Sequence, residues 1–235
     1  SIDLGVKLVA TQHTEESDSF GNDYDKDATY PVTSAAELKN AVANSGKFNV
    51  TEDIDVNETL NVENVGVVLN AADKKISNSS EIWNEGKGNW SLVSARGANG
   101  TSLVIKDGNF EAKANDCFTV DVQDGASVTI ENGKFVGNVH AVYVFEGTAY
   151  IKGGFYSIQQ KYSDASKADE FVLNCYDANR AAGTANIIVT GGTFVNFNPA
   201  DCQAEGPNTN FVADGYKVVS EKQANGETWY TVVPA

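Results

Sequence analysis

The chain is predicted to fold as an all-β parallel β-helix, a solenoid with a short capping helix at its N-terminal end and a β-hairpin cap at its C-terminal end. Three observations lead there. One short unit recurs four times, apolar residues alternate with period two through most of the chain, and no ten-residue helical pattern separates the alternating stretches.

Residues 1–30 are set apart as an N-terminal arm, since a short apolar start, Ile2 to Val9, gives way to the acidic and aperiodic "TEESDSFGNDYDKDAT". Residues 31–47 hold the capping helix. In "SAAELKNAVAN" (34–44), Ser34 and Glu37 stand three apart as a capping box, Leu38, Ala41 and Val42 share a face, and Gly46 lies just beyond the end. Residues 48–215 are assigned to the β-helix. Phe48 and Val50, Ile54 and Val56, Leu60 and Val62, and Val67 and Leu69 are apolar pairs separated by one residue, which is the strand period.

The repeated unit follows. "SLVIKDGNF" (102–110), "SVTIENGKF" (127–135), "TAYIKGGF" (148–155) and "NIIVTGGTF" (186–194) each place two alternating apolar residues ahead of a glycine, Gly108, Gly133, Gly154 or Gly192. A phenylalanine, Phe110, Phe135, Phe155 or Phe194, then returns inward. These four lie 25, 20 and 39 residues apart, which suits turns of a solenoid with one longer excursion. A second strand is expected after each copy, in "CFTVDV", "AVYVFEG", "FVLNCYD" and "NFVADGY". Residues 216–235 form the hairpin cap, with Asn225 and Gly226 near its turn and Trp229 and Tyr230 available as a lid over an otherwise open end.

A formal charge of −15, with 17 Lys and Arg against 32 Asp and Glu, excludes nucleic-acid binding by phosphate neutralisation. No apolar run approaches the roughly 20 residues that cross a bilayer, so no membrane insertion is expected. Ser1 is compatible with a removed methionine and with a cleaved signal peptide. Cys117, Cys175 and Cys202 are odd in number and lack CxxC spacing, which fits buried thiols better than a disulfide framework or a zinc site.

Asp23, Asp25 and Asp27 alternate like the start of a calcium loop, but Ala28 stands where the loop needs Gly and Ser34 where it needs Glu. They are weak metal candidates, and no cofactor is expected. Asp164, Asp169, Glu170 and Asp201 lie on the longer insertions, where a carboxylate pair ~5–10 Å apart would suit hydrolysis. His13 and His140 have no neighbouring Ser or Cys motif and read as surface histidines. The insertions "WNEGKGNWSLVSARGANG" (83–100), 159–170 and 196–210 are expected to form one lateral surface carrying Trp83, Trp90, Arg96, Tyr162 and Asn198. Aromatic rings beside amides suit sugar rings or a protein partner.

The capped helix, "FNVTEDIDVNETLNV" (48–62) and the repeated glycine-aromatic units resemble right-handed β-helix proteins of the pectin-lyase-like superfamily over roughly residues 31–233. More narrowly, "GGTFVNFNPADCQAEGPNTNFVADGYKVV" (191–219) with "GETWYTVV" (226–233) resembles the closing segment of β-helical structural and fibre proteins of gut bacteria and their phages. That resemblance implies a right-handed solenoid and a non-enzymatic virion protein: a head fibre, decoration or spike. The arm would dock on other virion proteins and the loops would meet a host surface glycan. Many shafts of this kind are trimers, which implies a homotrimer. The lyases of the superfamily carry an acidic calcium cluster and motifs such as "WIDH"; this chain has no such motif and only two arginines, Arg96 and Arg180. A polysaccharide-degrading enzyme and a bacterial surface adhesin, extracellular or on the cell surface, stand as the alternative readings.

Overall fold

A computed structural model describes residues 28–97, 100–160, 171–202, 205–206 and 209–235. The described residues are mostly β, with two large, mainly parallel sheets and two short α-helices. It opens with β1 (Thr29–Val32) and α1 (Ala35–Val42). Thus Thr29 and Tyr30, which the sequence reading gives to the arm, belong to a strand paired with the next one.

Three parallel ladders, here called A, B and C, are visited in a fixed order. The first pass supplies β2 (Gly46–Val50), β3 (Ile54–Asp55) and β4 (Leu60–Glu63); the second supplies β5 (Gly66–Ser77), which runs through A and B, and β6 (Ser91–Arg96). The third pass is β7 (Ser102–Glu111), again through A and B, and β8 (Phe118–Val122). The fourth is β9 (Ala126–Ile130), β10 (Lys134–Gly137) and β11 (Val142–Val144). The fifth is β12 (Gly147–Ile151), β13 (Phe155–Ile158) and β14 (Leu173–Cys175). After α2 (Asp177–Ala181) come β15 (Ala185–Val189) in A and β16 (Gly192–Val195) in B. The antiparallel pair β17 (Tyr216–Lys222) and β18 (Thr228–Pro234) ends the sheet, with β18 antiparallel to β16.

Period-two alternation and unshifted register together stack like residue on like. Leu103, Val128, Ala149 and Ile187 form one buried column of ladder A; Ile105, Ile130, Ile151 and Val189 form the next. In ladder C, Leu60, Val93, Val120, Val142 and Leu173 are in register and buried. Each Val, Leu or Ile among them is worth about 1.5–3 kcal/mol of burial.

Ladder B carries an aromatic column, and it corrects one assignment. Phe110, Phe135, Tyr156 and Phe194 stack with centroids 5.1, 5.1 and 4.9 Å apart and planes within 12°. Each stands five residues after Ile105, Ile130, Ile151 or Val189, so the third ring is Tyr156 and not Phe155. Phe155 faces outward, edge-on to Trp229 at 5.0 Å. The preceding glycines have φ of +149, +126, +100 and +102°, a region side chains avoid. Of the expected second strands, "CFTVDV", "AVYVFEG" and "FVLNCYD" hold β8, β11 and β14, whereas "NFVADGY" makes only an isolated bridge, Val189 to Val212.

Ser34 caps α1, its Oγ accepting from Glu37 N at 3.3 Å. Glu37 reaches back one residue further than a capping box requires, accepting from Thr33 N at 2.7 Å and Thr33 Oγ at 2.8 Å, which holds its carboxyl below the usual range. Cys117, Cys175 and Cys202 are buried, as expected. Burial pushes the Cys117 and Cys175 thiols well up.

Candidate functional site

The second to fifth passes leave ladder B and reach ladder C through connections at the same corner: residues 78–90, 112–117, 138–141 and the stretch between Ile158 and Leu173. Insertions at this corner therefore lie side by side because the strands on either side of them are in register. The first three connections enclose a cleft of about 490 Å³, walled by Glu81 and Trp83, Asn115 and Asp116, Val139 and His140, with Phe118 of β8 at its base.

Backbone hydrogen bonds tie these connections together, so the cleft is preformed. Asp116, buried, accepts from Ile82 N at 3.1 Å, Trp83 N at 3.1 Å and Asn78 Nδ2 at 2.6 Å. Asn78 Oδ1 accepts from Lys113 N at 2.8 Å. Asn138 N donates to Cys117 O at 3.0 Å, and Thr119 Oγ to Ala141 O at 2.5 Å. Gly137 ends β10 just before the third connection, and a Cβ there would run into the His140 carbonyl oxygen.

His140 is buried, 8% exposed, which corrects its reading as a surface histidine. Its Nδ1 lies 2.7 Å from Phe171 O and its Nε2 3.1 Å from Asn174 Nδ2. The carbonyl requires a donor, so the proton sits on Nδ1, and Nε2 accepts from the amide. Burial pulls its pKa down to about 4, leaving the ring neutral.

From the cleft a continuous path of rings runs along the outer face of ladder C. Trp83 meets Phe118 edge-on at 5.3 Å, Phe118 meets Tyr143 at 5.4 Å, Tyr143 meets Trp90 at 5.9 Å, Trp90 meets Phe145 at 5.5 Å and Phe145 stacks on Tyr176 at 4.9 Å. The two end rings are the open ones, Trp83 at 42% and Tyr176 at 43% exposed. Aromatic faces left partly in water on a rigid sheet are suited to stack against flat apolar ring faces of a ligand.

Connection 78–90 is clamped down by a buried polar cluster. Asp121, with no exposed surface, accepts from Ser91 Oγ, from Ser94 Oγ at 2.9 Å and from Gln123 Nε2 at 2.6 Å. Burial pushes its carboxyl up to about 6 against the pull of those donors. Arg96 Nη2 and Gln123 Nε2 both donate to Gly88 O at 2.8 Å, pinning the short 3₁₀ turn Glu85–Lys87 to the sheet.

Of the residues singled out in the sequence, Trp83 lines the cleft and Trp90 lies midway along the aromatic path. Arg96 belongs to the clamp, its guanidinium turned onto backbone carbonyls rather than toward a ligand. Asn198 turns its Oδ1 back to Ala200 N at 3.1 Å and shapes its own loop. Tyr162, Asp164, Asp169 and Glu170, and the arm up to residue 27 with His13, Asp23, Asp25 and Asp27, lie outside the described residues. Asp116, Phe118 and Tyr143 were not singled out, and His140 was read as a surface residue. An aromatic two residues from a carboxylate, "DCF" at 116–118, was the available signal, and it looks like ordinary strand sequence until the neighbouring connections are placed beside it.

The chain matches no protein-family model, no curated protein and no solved structure.

Proposed function

We propose that this chain is a right-handed parallel β-helix that serves as a non-enzymatic attachment protein, holding a glycan in the corner cleft and along the aromatic path beside it. The solenoid reading is supported by ladders A, B and C being revisited in the same order through five passes, with parallel pairing that is unshifted from the third pass on and broken by bulges only between β5 and β7. Such a body is stiff, because each pass is bonded to both neighbours.

The observation that carries the recognition role is the cleft itself: three successive connections, cross-bonded to one another, set an exposed tryptophan and an exposed carboxylate, Glu81, around a preformed space. Binding is favoured over hydrolysis by how the candidate acid-base groups are used. Asp116 has both oxygens engaged by N–H donors of the connection it anchors, and His140 has both nitrogens engaged. Among the described lining residues, Glu81 then stands without the second free carboxylate that glycoside hydrolysis ordinarily uses. The virion setting, as head fibre, decoration or spike, rests on the resemblance of the closing segment.

The test has two readouts. A glycan array probed with the wild-type chain and with Trp83→Ala should give hits that the variant loses, and incubation with those hits should release no new reducing ends or unsaturated products. Turnover of any hit would replace attachment with catalysis. Peptide mass spectrometry of density-purified phage particles should find the chain in a fixed ratio to the major capsid protein; its absence would move the attachment role to a secreted or cell-surface setting.

A further inference from the structure

The geometry points to an amino sugar, a ring bearing a free ammonium group, as the ligand unit the corner cleft selects, and to rejection of uronate-bearing glycans. This inference rests on the recognition reading above and specifies its chemistry.

Among the described residues, the cleft lining contains two carboxylates, Glu81 and Asp116, and no Lys or Arg. Asp116 keeps its three N–H donors, yet those neutral donors leave the carboxylate's negative charge in the wall. Glu81 has a side chain 76% exposed at the rim and pairs at 3.5 Å with Lys113 Nζ, which is not itself a lining residue. Both arginines of the chain are committed elsewhere: Arg96 to the Gly88 carbonyl, Arg180 to the buried Glu205, with Nε 3.0 Å from Oε2. His140 contributes a neutral ring.

An ammonium group entering this space meets two carboxylates and the face of a partly exposed indole, an arrangement that attracts cations. A uronate carboxylate would instead be set against two like charges with no guanidinium to receive it. The open indole of Trp83 offers a flat surface to the ring carrying the amine, and the Asn115 amide stands beside it for hydroxyl groups.

Isothermal titration with a glucosamine disaccharide, its N-acetylated counterpart and a galacturonate disaccharide tests this on the full chain. The amine is expected to bind about tenfold tighter than the acetylated form at low salt, with no detectable uronate binding. Because the chain carries a charge of −15, the controls matter: Glu81→Gln should reduce the amine preference to less than about threefold, while Glu221→Gln on the distant strand β17 should leave it unchanged. Equal affinity for amine and acetyl forms, or an equal effect of both Gln variants, overturns the charge selection while leaving glycan recognition standing. Binding of the uronate with loss in Trp83→Ala overturns the selection in the other direction. Failure of all three disaccharides, with an array that also shows no hit, is the outcome that removes the recognition reading itself.

Discussion

Replacing Phe135 by alanine removes the centre of a four-ring stack, and the effect should separate sharply from the same change at Phe155. Phe135 has no exposed surface and touches two rings, Phe110 and Tyr156, each at 5.1 Å and nearly coplanar. A buried Phe→Ala substitution costs about 3–5 kcal/mol through lost burial and the cavity left behind. Two lost aromatic contacts, each about 0.5–1.5 kcal/mol, place this site at the upper end, near 5 kcal/mol. Phe155 faces outward and keeps one ring contact, with Trp229, so Phe155→Ala should cost about 1–2 kcal/mol. Tyr156→Ala should resemble Phe135→Ala, and additionally loses the hydrogen bond from its hydroxyl to Gly153 O at 2.7 Å. Equilibrium urea unfolding followed by far-ultraviolet circular dichroism gives the three values side by side. Equal losses at Phe135 and Phe155, with a tolerant Tyr156, would refute the register of the fifth pass and with it the ring column.

Other outcomes follow from individual groups. Asp121 and His140 act oppositely between pH 4 and 6.5. A carboxyl raised to about 6 favours folding at the acid end and loses about 3 kcal/mol as pH climbs through that value, whereas a histidine lowered to about 4 loses a similar amount as pH falls from about 6.5. Relative to wild type, Asp121→Asn should therefore lose stability on acidification across this window and His140→Gln should gain it; parallel profiles for both variants would contradict the two assignments. Ser34→Ala should cost about 1 kcal/mol in the same unfolding assay, by removing the cap on the Glu37 amide. The Glu37 interaction with Thr33 should be present above the ordinary carboxylate pKa and be lost as pH falls through its lowered value, so Glu37→Gln should flatten the acid limb of the stability profile. Gly137→Ala should destabilise by about 1–3 kcal/mol or more and weaken ligand binding, because the added methyl displaces the His140 connection.

The repeated unit was legible because strand alternation and the glycine before each ring are local features. Where the reading slipped, the deciding contact was distant in sequence. "GGFY" at 153–156 offers two adjacent aromatics, and only pairing with Lys134 and Phe135 decides that Tyr156 points inward. "NFVADGY" alternates like its predecessors but extends no ladder beyond a single bridge. Arg96 looked like a free cation on a loop because its acceptors are backbone carbonyls eight and nine residues away, which carry no sequence signature. His140 becomes a buried neutral ring only through Phe171 and Asn174, contributed by the next pass. The tryptophans were found from composition alone, since an indole on a polar insertion is visible without knowing its neighbours.

The most direct measurement of the central claim is a crystal structure of the full chain with its tightest array ligand bound. The account expects a sugar ring stacked on Trp83, within reach of Glu81 and Asn115, and further rings toward Tyr176. Density for the ligand at another face, with Trp83 bare, would contradict it.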